Sequence, residues 1–251
     1  MTSPFDLTGS LAVVTGASRG IGAGIALGLA EAGADVVGVA RGSQDATAAA
    51  VREAGRDYTA LAADLSSPDG VRGLVASLDA LDRPIDILVN NAGIAERNPA
   101  EHHTDEQWAA VLDVNLTAPF VLARELGARM LDRGSGRIVF LGSMMTWQGG
   151  RDVVSYTASK SAVAGLVHAL ANEWAGRGVG VNAIAPGYIE TELTSATHGD
   201  PARRAAFEAR IPAGRWGSAA DVAGAVVFLA SPAAAYVHGV VLPVDGGWLV
   251  R

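Results

Sequence analysis

An apolar run that ends in three closely spaced glycines decides the fold: Leu11-Ala12-Val13-Val14-Thr15-Gly16-Ala17-Ser18-Arg19-Gly20-Ile21-Gly22. The run over residues 11–15 has the length of a buried strand, and an Ala- and Leu-rich helical segment follows as far as Ala32. Strand, glycine turn and helix in this order are the setting of a dinucleotide-binding loop, because glycines let the backbone approach a pyrophosphate at the helix N-terminus. The alternative is a tight turn that binds nothing.

Further apolar runs alternate with helical segments along the chain, at residues 35–40, 58–65, 85–89, 137–141, 179–185 and 240–244. This alternation predicts an α/β protein: one domain over residues 1–251, a Rossmann fold with a doubly wound, mostly parallel sheet of about seven strands and helices on both faces. Residues 188–217 are irregular apart from a short possible helix near 201–210. A long irregular segment in a compact domain is typical of a lid or substrate loop.

Small and polar residues follow the ends of the predicted strands. They are the glycine loop, Asp64, the turn Asn90-Asn91-Ala92-Gly93, Ser143 and Pro186-Gly187. The carboxyl ends of parallel strands meet at one edge of the sheet, and ligands bind there in folds of this class. We therefore expect these residues to surround one site.

Tyr156 and Lys160 are four residues apart, which places them on one face of a helix. An ammonium group near a phenol favours the phenolate and lowers the phenol pKa. Such a pair could donate and accept a proton near neutral pH. The alternative is that the tyrosine packs on the core and the lysine lies in solvent.

Asn115 is a second unusual residue, because it lies inside the long helix that the capping sequence Thr104-Asp105-Glu106-Gln107 opens. Asparagine is a poor helix former and an uncomfortable core residue. We expect a reason for it, either a side-chain bond to the backbone or a role in function.

The composition narrows the classes of partner. The chain of 251 residues carries a net charge of −7 and has no cysteine. The negative charge argues against nucleic acid and anionic membranes as main partners, and the lack of cysteine excludes disulfides and thiolate metal sites. The first residues do not resemble a signal peptide, and no apolar run is long enough to span a membrane. We expect a cytoplasmic protein with a small-molecule substrate and no metal.

Residues after the second strand bear on the choice of cofactor. An acidic residue there usually holds the ribose hydroxyls of NAD, but this chain has Ala40 followed by Arg41. An arginine attracts a 2′-phosphate, and Arg19 in the glycine loop could approach it from the other side. These residues favour NADP(H), with NAD(H) possible. The alternative is that both arginines are simply solvated.

The motifs together resemble the short-chain dehydrogenase/reductase family across nearly the whole chain. They are residues 15–22, residues 90–93, Asn115, Ser143, Tyr156 with Lys160, and Pro186-Gly187 with Thr191. The resemblance implies a nicotinamide cofactor, no metal, frequent homotetramers and the catalytic set Asn115, Ser143, Tyr156 and Lys160. It also implies cofactor contacts from Gly16, Ser18, Arg19, Gly20, Ile21, Gly22, Arg41, Asp64, Leu65, Asn91, Ala92, Gly93, Tyr156, Lys160, Pro186, Gly187, Ile189 and Thr191.

The family resemblance also implies a role for each catalytic residue. Tyr156 is the general acid/base and exchanges a proton with the substrate oxygen as hydride passes to or from the nicotinamide. Ser143 holds that oxygen. Lys160 lowers the tyrosine pKa and binds the nicotinamide ribose. Asn115 positions a water between Lys160 and solvent.

Several stretches are similar to the family members that act on small sugar acids: residues 143–145, 148–150, 155–161, 171–175, 182–188, 210–217 and 244–249. Their substrates are of the 2-deoxy-D-gluconate, 2-dehydro-3-deoxy-D-gluconate and gluconate types. The resemblance implies substrate contacts from Ser143, Tyr156, Arg97, Gln148 and Gly187. Arg97 is the candidate for the substrate carboxylate, and Arg151 is a second one, although it stands one place before the arginine of the related stretch. A surface position is the alternative for both.

Two other functions stay open. A 3-oxoacyl (acyl-carrier-protein) reductase would also use NADPH, but the chain has no obvious basic run for an acidic carrier. A cofactor-binding regulator without chemistry is a more remote alternative, because Asn115, Ser143, Tyr156 and Lys160 are all present.

Overall fold

The computed structural model describes residues 3–191, residue 194 and residues 200–251. Within these residues, seven strands form one parallel sheet in the order β3-β2-β1-β4-β5-β6-β7. The strands are β1 Leu11–Thr15, β2 Asp35–Ala40, β3 Tyr58–Ala62, β4 Ile87–Asn90, β5 Gly136–Leu141, β6 Val179–Pro186 and β7 Val241–Val244. The strand order reverses between β1 and β4, so a crevice opens beyond the carboxyl ends of these two strands.

Helices connect the strands and cover both faces of the sheet. The α-helices of the described residues are α1 Gly20–Glu31, α2 Asp45–Glu53, α3 Pro68–Asp79, α4 Asp105–Leu112, α5 Ala118–Arg133, α6 Val154–Trp174, α7 Pro201–Glu208 and α8 Ala219–Ala230. Short 3₁₀ turns lie at Ala100–His102, Met144–Thr146, Ala175–Arg177, Pro232–Ala234 and Trp248–Val250. Side chains of Ser67, Thr104 and Ser218 cap the N-termini of α3, α4 and α8.

Two hydrophobic cores lie on opposite faces of the sheet. One packs α3, α5 and α6 against it, and the other packs α1, α2 and α8. Successive residues of β1 serve both cores, since Val13 belongs to the first and Val14 to the second. Burial on both faces explains why the parallel strands are continuous apolar runs without alternation.

The predicted fold class is confirmed, and two local predictions need correction. The third strand ends at Ala62 and not at Leu65. The helix that contains Asn115 is not uniform, because a π-helical turn over Asp113–Thr117 separates α4 from α5. In the predicted lid, Ile189 bridges to Gly217, and the short helix expected near residues 201–210 is present as α7. Residues 192–193 and 195–199 of that segment lie outside the described residues.

Among the described residues, no helix combines the length and the apolar character that crossing a lipid bilayer requires.

Candidate active site

The turns after β1 and β4 are tied together at the crevice. The Thr15 hydroxyl accepts hydrogen bonds from the backbone N–H groups of Asn91 and Ala92, both at 3.0 Å. In return, the Asn91 amide donates to the carbonyl of Thr15 at 2.8 Å and to that of Gly16 at 3.3 Å. The glycine loop is therefore held in place by the polar turn that follows β4.

The glycine loop brings α1 close to the end of β1. Gly16 has a φ of +70°, which a residue with a side chain adopts only with strain. A Cβ at Gly22 would lie 2.1 Å from the Gly16 carbonyl oxygen. Arg19 occupies the N-cap of α1, and no side chain caps the helix. The helix N-terminus thus offers backbone N–H groups and a positive dipole end to an anion, which fits a pyrophosphate.

The predicted site for a 2′-phosphate lies beyond β2. Arg19 and Arg41 are both exposed there. Ser66 donates to the Asp64 carboxylate from its N–H at 3.0 Å and its hydroxyl at 2.8 Å, and these bonds hold the Asp64 pKa below its usual value. The charge of Arg41 adds to that lowering, so Arg41 faces Asp64. Leu65 is buried beside Asp64.

Asn115 lies in the π-helical turn and is 1% exposed. Its Nδ2 donates to the Ile94 carbonyl at 2.9 Å and to the Ser159 hydroxyl at 3.1 Å, while its Oδ1 accepts the Ile94 N–H at 2.8 Å. Both amide hydrogens are therefore used, and Oδ1 keeps one acceptor position. A Cβ built on Gly93 would lie 3.2 Å from this Oδ1 and 3.7 Å from Lys160 Nζ, so the two groups face the same space.

Lys160 is the only lysine of the chain. It is 4% exposed, and its Nζ donates to the Leu141 carbonyl at 2.6 Å, at the end of β5. Burial disfavours the charged amine and lowers the Lys160 pKa to about 8. Its Nζ lies 5.7 Å from the centre of the Tyr156 ring. As their spacing predicts, Tyr156 and Lys160 lie on one face of α6. Lys160 is inside the protein and not in solvent.

The expected direction of the Tyr156 pKa needs correction. Burial raises it, while a hydrogen bond with Ser143 and the positive charge of Arg97 lower it by less. Lys160 faces the Tyr156 ring and is itself partly neutral near its own pKa of about 8. The predicted lowering by the ammonium therefore does not dominate, because the tyrosine and the lysine are both removed from water.

The carboxyl end of β6 closes the far side of the crevice. Pro186 ends the strand, and the Gly187 N–H donates to the Val244 carbonyl at 2.9 Å. Ile189 is buried, while the Thr191 methyl group would lie 3.5 Å from a Cβ built on Gly20. The segment after β6 thus reaches the glycine loop at the same edge of the sheet.

An aromatic cluster that sequence reasoning missed lies beside Ser143. The ring of Tyr188 packs 4.7 Å from that of Trp248 and 5.3 Å from that of Trp216, and Phe207 lies 4.5 Å from Tyr188. In the sequence, Tyr188 marks the start of the irregular segment and the end of a stretch that resembles the sugar-acid enzymes. The aromatic residues at the ends of segments 210–217 and 244–249 were a usable signal, because both segments carry the resemblance to sugar-acid enzymes.

The predicted substrate residues Gln148, Arg97 and Arg151 lie in different surroundings. The Gln148 side-chain oxygen accepts the indole N–H of Trp248 at 3.3 Å. Arg97 is exposed, and its positive charge lowers the pKa of both Tyr156 and Tyr188, so it lies near both phenols. Arg151 is exposed and contributes to neither of these pKa values. Of the two candidate arginines, Arg97 is the one that faces the site.

The described residues contain no group of three or more His, Cys, Asp and Glu side chains that could hold a metal ion.

Known proteins resemble this chain along its whole length. Residues 16–249 match the family described as enoyl-(acyl carrier protein) reductase. The chain is 51% identical to the 2-dehydro-3-deoxy-D-gluconate 5-dehydrogenase of Pseudoalteromonas atlantica, with 100% of both chains covered. It is 40% identical to the 3-oxoacyl-[acyl-carrier-protein] reductase of Vibrio cholerae, over 96% of this chain and 98% of the other.

A solved structure agrees with this similarity. It is a putative NAD(P)-dependent gluconate 5-dehydrogenase from Beutenbergia cavernae with bound NADP. It superposes on this chain with a TM-score of 0.95 and is 52% identical to it, over 99% of this chain and 100% of the other.

Proposed function

Because the chain belongs to the short-chain dehydrogenase/reductase family, we propose that it interconverts a hydroxyl and a carbonyl group of a small sugar acid with NADP(H). The observation that carries this proposal is the convergence of Ser143, Tyr156, Lys160 and Asn115 beside the glycine loop. These residues come from three separate segments of the chain. Asn115 donates to the Ser159 hydroxyl, and Lys160 donates to the Leu141 carbonyl at the end of β5.

Tyr156 is proposed to be the general acid/base. In the reductive direction its hydroxyl gives a proton to the substrate oxygen, and in the oxidative direction it takes the proton back. The Ser143 hydroxyl, whose influence opposes the rise of the Tyr156 pKa, would hold the same oxygen and stabilise the charge that develops on it. The bound nicotinamide would supply or accept the hydride.

Lys160 and Asn115 are proposed to act behind the tyrosine. Lys160 can lose or gain a proton near its pKa of about 8, so it can exchange protons with its surroundings when Tyr156 changes charge. The Asn115 side chain holds the backbone of Ile94 and the hydroxyl of Ser159 in place through hydrogen bonds. A water between Asn115 and Lys160 would need the remaining acceptor position of Oδ1 or the backbone.

The cofactor is proposed to be NADP(H). The open N-terminus of α1 would hold the pyrophosphate, with Gly16 and Gly22 allowing its approach. Arg41 follows β2 where a carboxylate would repel a 2′-phosphate, and it is exposed and available to bind one. Arg19, at the start of α1, is proposed to help on the other side of the phosphate.

The substrate is proposed to be an aldonate or a ketoaldonate of the kind named for the sugar-acid relatives. Arg97 lies near Tyr156 and Tyr188, so it could bind a carboxylate while the reacting carbon faces Tyr156. Gln148 is proposed to contact the sugar hydroxyls with its amide nitrogen, since its oxygen is bonded to Trp248. The segment 188–217 is proposed to be the lid.

A 3-oxoacyl thioester reductase remains the second candidate, because reductases of that type share 40% identity with the chain. The two functions differ in the charge that the substrate carries near its reacting carbon. A sugar acid presents a carboxylate within a few atoms of the reacting carbon, whereas a thioester presents no such charge. The cation near Tyr156 favours the sugar acid.

The deciding experiment measures absorbance changes of the nicotinamide with both cofactors. The panel contains gluconate, 2-deoxy-gluconate, 2-dehydro-3-deoxy-gluconate and a 3-oxoacyl thioester. We expect turnover of at least one sugar acid, with NADP(H) preferred over NAD(H) by about tenfold or more in kcat/KM, since one charge-assisted contact distinguishes them. Reduction of the thioester alone would overturn the sugar-acid proposal, and a strong preference for NAD(H) would overturn the role of Arg41.

The assembly is proposed to be a cytoplasmic homotetramer. Exposed aromatic residues support association, among them Trp108 at 40% and Phe120 at 38% exposure on neighbouring helices. Sedimentation at the mass of a single 25.5 kDa chain would contradict it.

A further inference from the structure

Arg210 lies flat against a buried aromatic ring. Its guanidinium carbon is 3.9 Å from the centre of the Trp248 ring, and Trp248 is only 3% exposed. Arg210 itself is exposed. Stacking on a fixed indole restricts the planar guanidinium and leaves its N–H donors free at the edge. The arrangement holds a positive charge in one orientation at the surface.

The ring beneath Arg210 belongs to the substrate side of the site. Trp248 donates its indole N–H to Gln148, which follows the 3₁₀ turn that begins after Ser143. Trp248 also packs edge-on against Tyr188, just beyond the end of β6. Arg210 is therefore connected to the Ser143 side through Trp248 and Gln148.

A second arginine approaches the same tyrosine. Burial raises the pKa of Tyr188, and the positive charges of Arg210 and Arg97 oppose that rise; the charge of Arg97 also opposes the rise of the Tyr156 pKa. The charges of Arg210 and Arg97 therefore both act on Tyr188, and that of Arg97 also acts on the proposed general acid. Side-chain contacts join Gln148, Trp248, Tyr188 and Arg210 into one cluster.

Two arginines close to Arg210 in the sequence, Arg204 and Arg215, are paired with carboxylates. Arg204 pairs with Glu190 and Glu208, and Arg215 forms two hydrogen bonds with the Asp221 carboxylate. Within residues 3–191, 194 and 200–251, neither Arg97 nor Arg210 forms an ion pair with a carboxylate. The two arginines beside Tyr188 thus have no carboxylate partner in the part of the chain that the structure describes.

We propose that Arg210 is a specificity-determining residue that binds the substrate carboxylate together with Arg97. This inference rests on the proposed sugar-acid function and adds to it a second cation, which sequence reasoning did not identify. Two guanidinium groups can each donate to one carboxylate, and the Trp248 platform orders one of them before binding. A neutral substrate of the same shape gains nothing from either group.

The test compares the wild type with Arg210→Gln and Arg210→Lys on an aldonate and on its neutral aldonamide. We expect Arg210→Gln to raise KM for the aldonate about 10- to 100-fold, as for loss of a hydrogen bond to a charged group. Its kcat, and its KM for the aldonamide, should stay within about twofold. Arg210→Lys should recover only part of the loss, because an ammonium lacks the planar fork. The matched control is Arg72→Gln, an exposed arginine on α3.

A binding measurement separates this inference from the proposed function. The aldonate is titrated calorimetrically into enzyme saturated with NADPH, a pair that cannot react because both molecules are already reduced. Weaker binding to Arg210→Gln supports the inference even if turnover is absent. Equal binding to wild type and Arg210→Gln overturns it even if sugar acids are turned over. Equal losses for aldonate and aldonamide also overturn it, and a wild type that neither binds nor oxidises aldonates overturns both proposals.

Discussion

Two regions face the same crevice and are held in different ways. Around Lys160, the polar side chains are buried and bonded to the backbone: Asn115 to Ile94, Ser159 to the Tyr156 carbonyl, and Lys160 to Leu141. We call these residues, with Tyr156, the buried centre. Around Tyr188, the charged groups of Arg97 and Arg210 are exposed, and Arg210 lies over the ring of Trp248. We call Arg97, Tyr188, Arg210, Trp248 and Gln148 the mouth.

We assign the reaction to the buried centre and the selection of the substrate to the mouth. Bonds to the backbone of β5, of α6 and of Ile94, in the segment after β4, fix the buried centre close to elements that the hydrophobic cores hold. The mouth is built from side chains on loops, so a substitution there changes what binds without disturbing the sheet. We expect changes in the buried centre to affect every substrate alike, and changes in the mouth to affect only acids.

The largest effect is expected from Tyr156→Phe, which removes the proposed proton donor and keeps the ring. We expect kcat to fall about 10³-fold or more, since general acid/base groups contribute about 10²- to 10⁴-fold. The loss should be equal for aldonate and aldonamide, and NADPH affinity measured by fluorescence should stay within about twofold. A variant with near-normal turnover would show that the proton comes from another group.

A smaller effect concerns the pH dependence of stability. Burial lowers the Lys160 pKa to about 8, whereas a free lysine has about 10.4. Between these values the unfolded chain binds more protons than the folded one, so the free energy of unfolding should rise with pH. The rise between about pH 8 and about pH 10 should be about 2 kcal/mol and should vanish in Lys160→Met.

Urea unfolding at several pH values measures that rise, and NMR can test its cause directly. Because Lys160 is the only lysine, protein with ¹⁵N-labelled lysine has a single side-chain amine signal. We expect this signal to titrate near pH 8 in the cofactor-free protein. Titration above about pH 10, the range of a free lysine, would show that the amine is not desolvated as described.

The smallest effect is expected from Arg97→Gln in the mouth. We expect KM for an aldonate to rise about tenfold, because one charge-assisted hydrogen bond is lost. The values for the aldonamide and kcat should change by less than about twofold. Arg151→Gln is the matched control, since Arg151 is exposed and does not influence Tyr156. Equal losses for acid and amide would refute a carboxylate contact and remove the distinction between the two regions.

Much of the buried centre could be predicted from sequence, because its residues are short-range neighbours or follow strand ends. Tyr156 and Lys160 share a helix face through their spacing alone, and Ser143 follows an apolar run. For Asn115, the sequence alone does not distinguish a structural reason from a functional one. Its side chain holds Ile94 and Ser159, a contact between segments that are far apart in sequence.

Other features required the folded chain. The direction of the Tyr156 pKa depends on how much water burial removes, and no spacing encodes that. Arg210, Trp248 and Tyr188 lie in three separate segments. No sequence motif around any one of them indicates a contact with the other two. Their stacking follows from the route of the chain after β6 and β7.

The sequence by itself determined the alternation of strands and helices, the glycine loop and the tyrosine–lysine pair. These depend on local propensity, apolar periodicity and spacing along one element, all of which act over a few residues. Only the tertiary structure decided the ionisation of the buried centre and the composition of the mouth. Desolvation and contacts between distant segments set both, and these arise only when the sheet brings the ends of its strands together.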